Sequence, residues 1–147
     1  RLLSPSQLDS VLVQLTDFEW TQASYVQLHN DKKGYRVLAG GVDGYAVTQA
    51  QTRPGLTWAL VTERSAQTAA SSAVEGGGEL GQALESVDAP RDWIAGLIWQ
   101  LTAERPSQDE LDALEQAYLE LSEAQGPQAA QELLVSVLLR DPRFLSY

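Results

Sequence analysis

Apolar positions recur at helical spacing near both ends of the chain, and that rhythm breaks in between. Leu8, Val11, Leu12, Leu15 and Phe18 mark one face of a helix. Ser4-Pro5-Ser6-Gln7 in front of it has the N-cap, first-turn proline and capping-box glutamine of a helix start, and the helix is expected to end near Phe18. From Glu19 to Thr52 the pattern changes. Trp20, Tyr25, Val26, Tyr35, Val37, Val42, Tyr45 and Val47 are punctuated by Asn30-Asp31, Gly34, Gly40-Gly41 and Gly44. Leu28 to Lys33 reads as a turn or exposed loop, and Tyr35 to Val47 as irregular chain or a short hairpin around the glycines.

Helical spacing returns after Thr52-Arg53-Pro54 and runs to about Val74 through Leu56, Ala59, Leu60, Ala66, Ala69, Ala70 and Ala73. Small residues fill the second half of this stretch, so a neighbouring element must approach it closely to bury enough surface. Gly76-Gly77-Gly78 reads as its end and as the best linker in the chain. Beyond Asp88-Ala89-Pro90, the stripe Trp93, Ile94, Leu97, Ile98, Leu101 predicts a third helix. Ser107 to Glu110, a capping box, opens a fourth carrying Leu111, Leu114, Tyr118 and Leu121. Gly126-Pro127 opens a last helix with Ala130, Leu133, Leu134, Val137 and Leu138, which Asp141-Pro142 should stop. The expected fold is mainly α, a helical bundle with an irregular or short-hairpin glycine-rich insertion after the first helix. It divides into an N-terminal region 1–75, a linker 76–87 and a three-helix region 88–147.

Composition narrows the function classes. The net charge of −10, from 20 acidic and 10 basic side chains, argues against nucleic acid as a partner. Apolar runs such as Leu133 to Leu139 are far shorter than the roughly 20 residues of a membrane span. With no cysteine, the chain can form no disulfide, thiolate nucleophile or Cys-ligated cofactor site, and it cannot attach a c-type haem. With no methionine, it reads as a processed chain or an internal fragment.

Candidate chemistry is sparse. Gly40-Gly41-Val42-Asp43-Gly44 is first a structural turn, and alternatively a ligand or partner contact, because consecutive glycines can aim backbone N–H groups at an anion. It matches neither a phosphate-binding loop nor a dinucleotide fingerprint. His29 is the single histidine, with Asp31 the nearest carboxylate in sequence; it reads as a solvated loop residue. Glu110, Asp112, Glu115, Glu120 and Glu123 read as a solvated face, or alternatively as a surface for a basic partner. Trp99 lies off the stripe that contains Trp93. It is expected to pack against the N-terminal half, with an exposed interface anchor as the alternative.

Three segments resemble the uncharacterised conserved domains that accompany planctomycete-type cytochrome c in large exported proteins. Arg1-Leu2-Leu3-Ser4-Pro5-Ser6-Gln7-Leu8-Asp9-Ser10 resembles their Arg-Arg-Leu-Thr-x-Glu-Gln-Leu-x-Asp-Ser helix start. Tyr35-Arg36-Val37-Leu38-Ala39-Gly40-Gly41-Val42-Asp43-Gly44 is similar to Tyr-Arg-x-Leu-x-Gly-Gly-Ile-Asp-Ser. Leu133 to Tyr147, with Asp141-Pro142-Arg143-Phe144-Leu145, is similar to a C-terminal helix ending in Ser-Pro-x-Phe-Leu. The resemblance implies an exported or periplasmic setting and a redox-associated architecture. Any haem would then lie in the parent protein or a partner, and a c-type cytochrome would be among the candidate partners. It implies no catalytic residue. The leading expectation is a non-catalytic scaffold or interaction domain that contacts a neighbouring domain or subunit. The alternative is a small-molecule-binding or enzymatic module built on residues 35–48, with Tyr35, Arg36, Asp43 and His29 around a small pocket. Tyr35, Arg36, Gly40, Gly41, Asp43 and Trp99 are the candidate contact residues.

Overall fold

The computed structural model describes residues 2–30, 32, 34–85 and 89–146. Among them are seven helices and one two-stranded hairpin: α1 Pro5–Thr16, β1 Thr21–Gln22, β2 Tyr25–Val26, α2 Leu56–Val74, α3 Gly78–Glu85, α4 Pro90–Thr102, α5 Gln108–Gln125, α6 Pro127–Leu138 and α7 Pro142–Leu145. The fold is mainly α, a helical bundle. Arg1, Asp31, Lys33, Ser86, Val87, Asp88 and Tyr147 lie outside the described residues, so what the sequence predicts for those positions does too.

Local chemistry starts the helices where the sequence places its caps. Ser4 Oγ accepts from the Gln7 N–H while Gln7 Oε1 accepts from the Ser4 N–H, a complete capping box. Ser107 Oγ accepts from the Glu110 N–H at 3.1 Å, but the box stays half-made. The Glu110 carboxylate turns to Arg143, whose Nη2 donates to it at 2.6 Å. Asp17, in the left-handed region at φ 54°, ends α1 two residues before the expected limit.

The core is one cluster fed by every helix. It contains Leu8, Leu12 and Leu15 of α1, Trp93, Ile94, Leu97, Ile98 and Leu101 of α4, Leu111 and Tyr118 of α5, and Leu134, Val135 and Leu138 of α6. Trp93 and Tyr118 join α4 to α5 edge-to-face, ring centroids 5.1 Å apart. The buried face of α2 is almost all small: Ser65, Ala66, Ala69, Ala70 and Ala73. As its composition requires, close neighbours cover it, namely α3 and α6. Because α6 lies against both α2 and α5, Val135 and Ser136 are buried, and Leu133 and Val137 of the expected stripe face solvent.

Residues 76–85, expected within a linker, form a tight joint. α3 buries Leu80 and Leu84 and packs on α1 and α2. Side-chain atoms built on Gly77 and Gly78 would each meet backbone of the α1 C-terminus at 2.5 Å. One on Gly81 would run into the Gly76 backbone. These glycines supply room for backbone approach rather than flexibility. The final three helices form as expected, with α7 after them, but α6 packs on α2 as well as on its sequence neighbour.

Asp141 caps α7, accepting from the Arg143 N–H at 2.7 Å, and its carboxylate also accepts from the Arg143 guanidinium, Nη2 at 2.6 Å. That guanidinium is the main reason the Asp141 carboxyl is held below its ordinary value of 3.8. A depressed folded-state pKa contributes stability that is present above the unfolded value and lost as pH falls through the folded one. Asp141→Asn should therefore flatten the loss of melting temperature below about pH 4. An acid limb as steep as that of the unaltered protein would remove this pair from the account.

Candidate functional site

A concavity of about 630 Å³ opens between the segment after α1, the chain around Tyr35 to Leu38, and the exposed side of α2. Its size is within the range of ligand and peptide sites. The left-handed turn at Asp17 sends Phe18–Gln22 away from α1, and a hairpin with Ala23 and Ser24 at φ 50° and 66° brings the chain back. Gln27, buried, then organises the wall. Its N–H donates to the Trp20 carbonyl at 2.8 Å, and its own carbonyl accepts from the Tyr35 N–H at 2.8 Å. Its side-chain amide ties down the hairpin by donating to the Tyr25 carbonyl at 3.0 Å. The Gln27 carbonyl lies where a Cβ of residue 34 would be, so this approach needs Gly34. Trp20 and Tyr35 are thereby stacked, ring centroids 4.7 Å apart. Leu38 and Leu60 flank them, 44% and 56% exposed, and Glu19 and Arg64 supply the charged lining.

The candidate residues named from the sequence do not share this site. Tyr35 lines it. Gly40 and Gly41 close a buried turn: the Gly40 N–H donates to the Val37 carbonyl at 3.0 Å and the Gly41 N–H to the Arg36 carbonyl at 2.8 Å. Arg36 packs its stem over Gly41, and its guanidinium reaches the His29 carbonyl at 3.5 Å. Asp43 turns inward on its own loop, accepting from the N–H groups of Tyr45 at 2.8 Å and Val47 at 2.9 Å. Those bonds, Val47 first, lower its pKa. Trp99 stands 55% exposed on α4, not packed against the N-terminal half.

His29 meets Asp9 of α1, not its sequence neighbour: Nε2 is 3.1 Å from Oδ2 of that buried carboxylate. Burial raises the Asp9 pKa, His29 opposes the rise, and the charge of Glu19 adds to it. The sign is opposite to that at Asp141. Stability from this carboxyl falls as pH rises from the ordinary value of 3.8 through the raised one. The pair pins the hairpin region to α1. Among the described residues, no three carboxylate or imidazole groups gather in a set that could hold a metal ion, and no helix is long and apolar enough to cross a membrane.

Trp20, Leu38, Leu60 and Arg64 were not singled out as site residues from the sequence. A clue was present in Leu56 and Leu60, large apolar residues preceding a stretch of small ones on the same helix. No known family model, curated protein or solved structure matches the chain.

Proposed function

We propose that this chain is a non-catalytic interaction domain of an exported, cytochrome-associated protein or complex, docking a neighbouring domain or subunit through the groove beside α2. The observation that carries the reading is the apolar surface left in solvent there. Leu60 and Leu38 are 56% and 44% exposed around the stacked Trp20–Tyr35 pair, and Leu56, one turn before Leu60 on α2, is 77% exposed. Leu56 and Leu60 share one side of α2, at i and i+4. Covering such side chains returns on the order of 1 kcal/mol each, so a clustered set favours a partner.

Support for the cytochrome setting comes from the three segments that carry the resemblance, of which the first touches each of the other two. The Leu3 N–H donates to the Leu145 carbonyl at 2.9 Å, and Leu2 bridges to Ser146. Gly41 faces Pro5, whose Cγ is 3.1 Å from where a Cβ would sit. The start of the chain thus packs against both the glycine turn and the C-terminal segment, a structural reason for the three to occur together.

The test is isolation of the native assembly with its absorption spectrum. Haem absorbance should co-elute with this chain, and the double variant Leu38→Asp, Leu60→Asp should leave the assembly while keeping its helical circular dichroism. An assembly without haem would refute the cytochrome association, and a double variant that stays bound would refute the docking surface.

A further inference from the structure

We infer that the occupant of the groove is an extended peptide segment that presents a carboxylate to Arg64, with an aromatic or aliphatic side chain on the Trp20–Tyr35 pair. This rests on the docking role proposed above and names the chemistry of the partner.

The chain has twice as many acidic as basic side chains, 20 against 10, and among the described residues three arginines are held by its carboxylates. Arg91 meets Asp112 at 2.8 Å and Glu115 at 2.7 Å; Arg143 meets Glu110 and Asp141 at 2.6 Å each. Arg140 meets Glu63 at 3.4 Å. Arg64 differs. It follows Glu63 directly and lines the groove, yet no carboxylate of the described residues lies within 4.0 Å of its guanidinium. A guanidinium that lines the same groove as the aromatic pair, with no carboxylate partner among the described residues, is suited to a carboxylate from outside.

The shape of the site argues for an extended occupant. Arg64 and Thr68 also line a second groove of about 480 Å³ between α2 and α6, with Gln67, Ser71, Gln125 and Glu132 on its walls. The two concavities share Arg64 and Thr68; both are more apolar than polar, the first adding the aromatic pair and the second amides and hydroxyls. From Leu60 to Ser71, α2 rises roughly 16 Å. About five residues of extended chain cover that length. A peptide supplies both kinds of surface, and its backbone N–H groups can donate to Glu19 and Glu132 where a second carboxylate would be repelled.

A phage-displayed library of random heptapeptides, panned on the immobilised chain, tests this. Enriched sequences should carry Asp or Glu within about three residues of an aromatic or large aliphatic side chain. Synthetic versions should shift the Trp20 indole N–H resonance. Their affinity should fall about three- to tenfold with Arg64→Gln, or with the acidic residue changed to its amide. Arg36→Gln, outside the groove, should leave affinity unchanged. Enriched peptides without an acidic residue, or peptides equally bound by Arg64→Gln, would overturn the carboxylate assignment; if they still need Leu60, docking at the groove survives. Absence of any enriched sequence, or enrichment that ignores Leu60, would overturn the peptide groove itself, whereas the docking role falls only if the double leucine variant also stays in the native assembly.

Discussion

Gly78→Ala should destabilise the fold by about 3 kcal/mol, read as a lower urea midpoint at unchanged slope. Two costs add. Gly78 sits at φ +67°, where a side chain strains the backbone, and its Cβ would lie 2.5 Å from the Leu15 carbonyl carbon, the Leu15 oxygen and the Thr16 nitrogen. Those are main-chain atoms of α1 and cannot turn aside as a side chain could. The Gly78 N–H also donates to Asp17 Oδ2 at 2.9 Å, fastening the end of α1 to the start of α3. In a flexible linker the same change would cost no more than about half a kcal/mol. A midpoint within that limit would restore the linker and separate the C-terminal helices from the rest.

Leu97→Ala should cost about 2–5 kcal/mol by the same measurement. Leu97 is 1% exposed, in the stripe of α4, the helix on which α3, α5, α6 and α7 pack. The loss combines transfer energy with a cavity that the packed helices cannot collapse to fill. Trp99, two residues on, supplies the contrast: it is 55% exposed, so Trp99→Ala should cost under about 1 kcal/mol despite removing a larger side chain. Equal costs at the two positions would mean that α4 is rotated from the orientation described.

These two helical faces show what was legible in the sequence. Helix caps and apolar stripes are local signals, so Ser4, Ser107 and the run from Trp93 to Leu101 placed α1, α5 and α4 with their buried sides. The shortfalls come from relations over distance. Glycine serves both flexibility and close approach, and residues 76–78 carry no local mark that separates the two; only the α1 backbone lying against them does. Leu28 looked like part of a loop because turn residues follow it, yet it is 1% exposed, beneath the irregular chain. On α6, two packing neighbours shifted burial toward Val135 and Ser136, which a single-stripe pattern cannot show. The groove was the least legible part. Its stacked rings are brought together by Gln27, a polar residue whose backbone bonds to both Trp20 and Tyr35. The partner of His29 likewise comes from α1, twenty positions away in sequence.

The candidate residues divide in the same way. Gly40, Gly41 and Asp43 spend their hydrogen-bonding capacity on their own loop, so their spacing records a turn. Tyr35 alone of that segment's candidates joins the groove, and it does so as an apolar wall.

The central claim, that the α2 groove is an interface, is tested most directly by site-specific cross-linking in the native assembly. A benzophenone-bearing residue in place of Leu60 is compared with one in place of Leu119, which is 53% exposed on α5 and outside both grooves. Position 60 should cross-link in high yield to one defined segment of another domain or subunit, and position 119 should not. Equal yields from the two positions, or no adduct from position 60, would contradict the account.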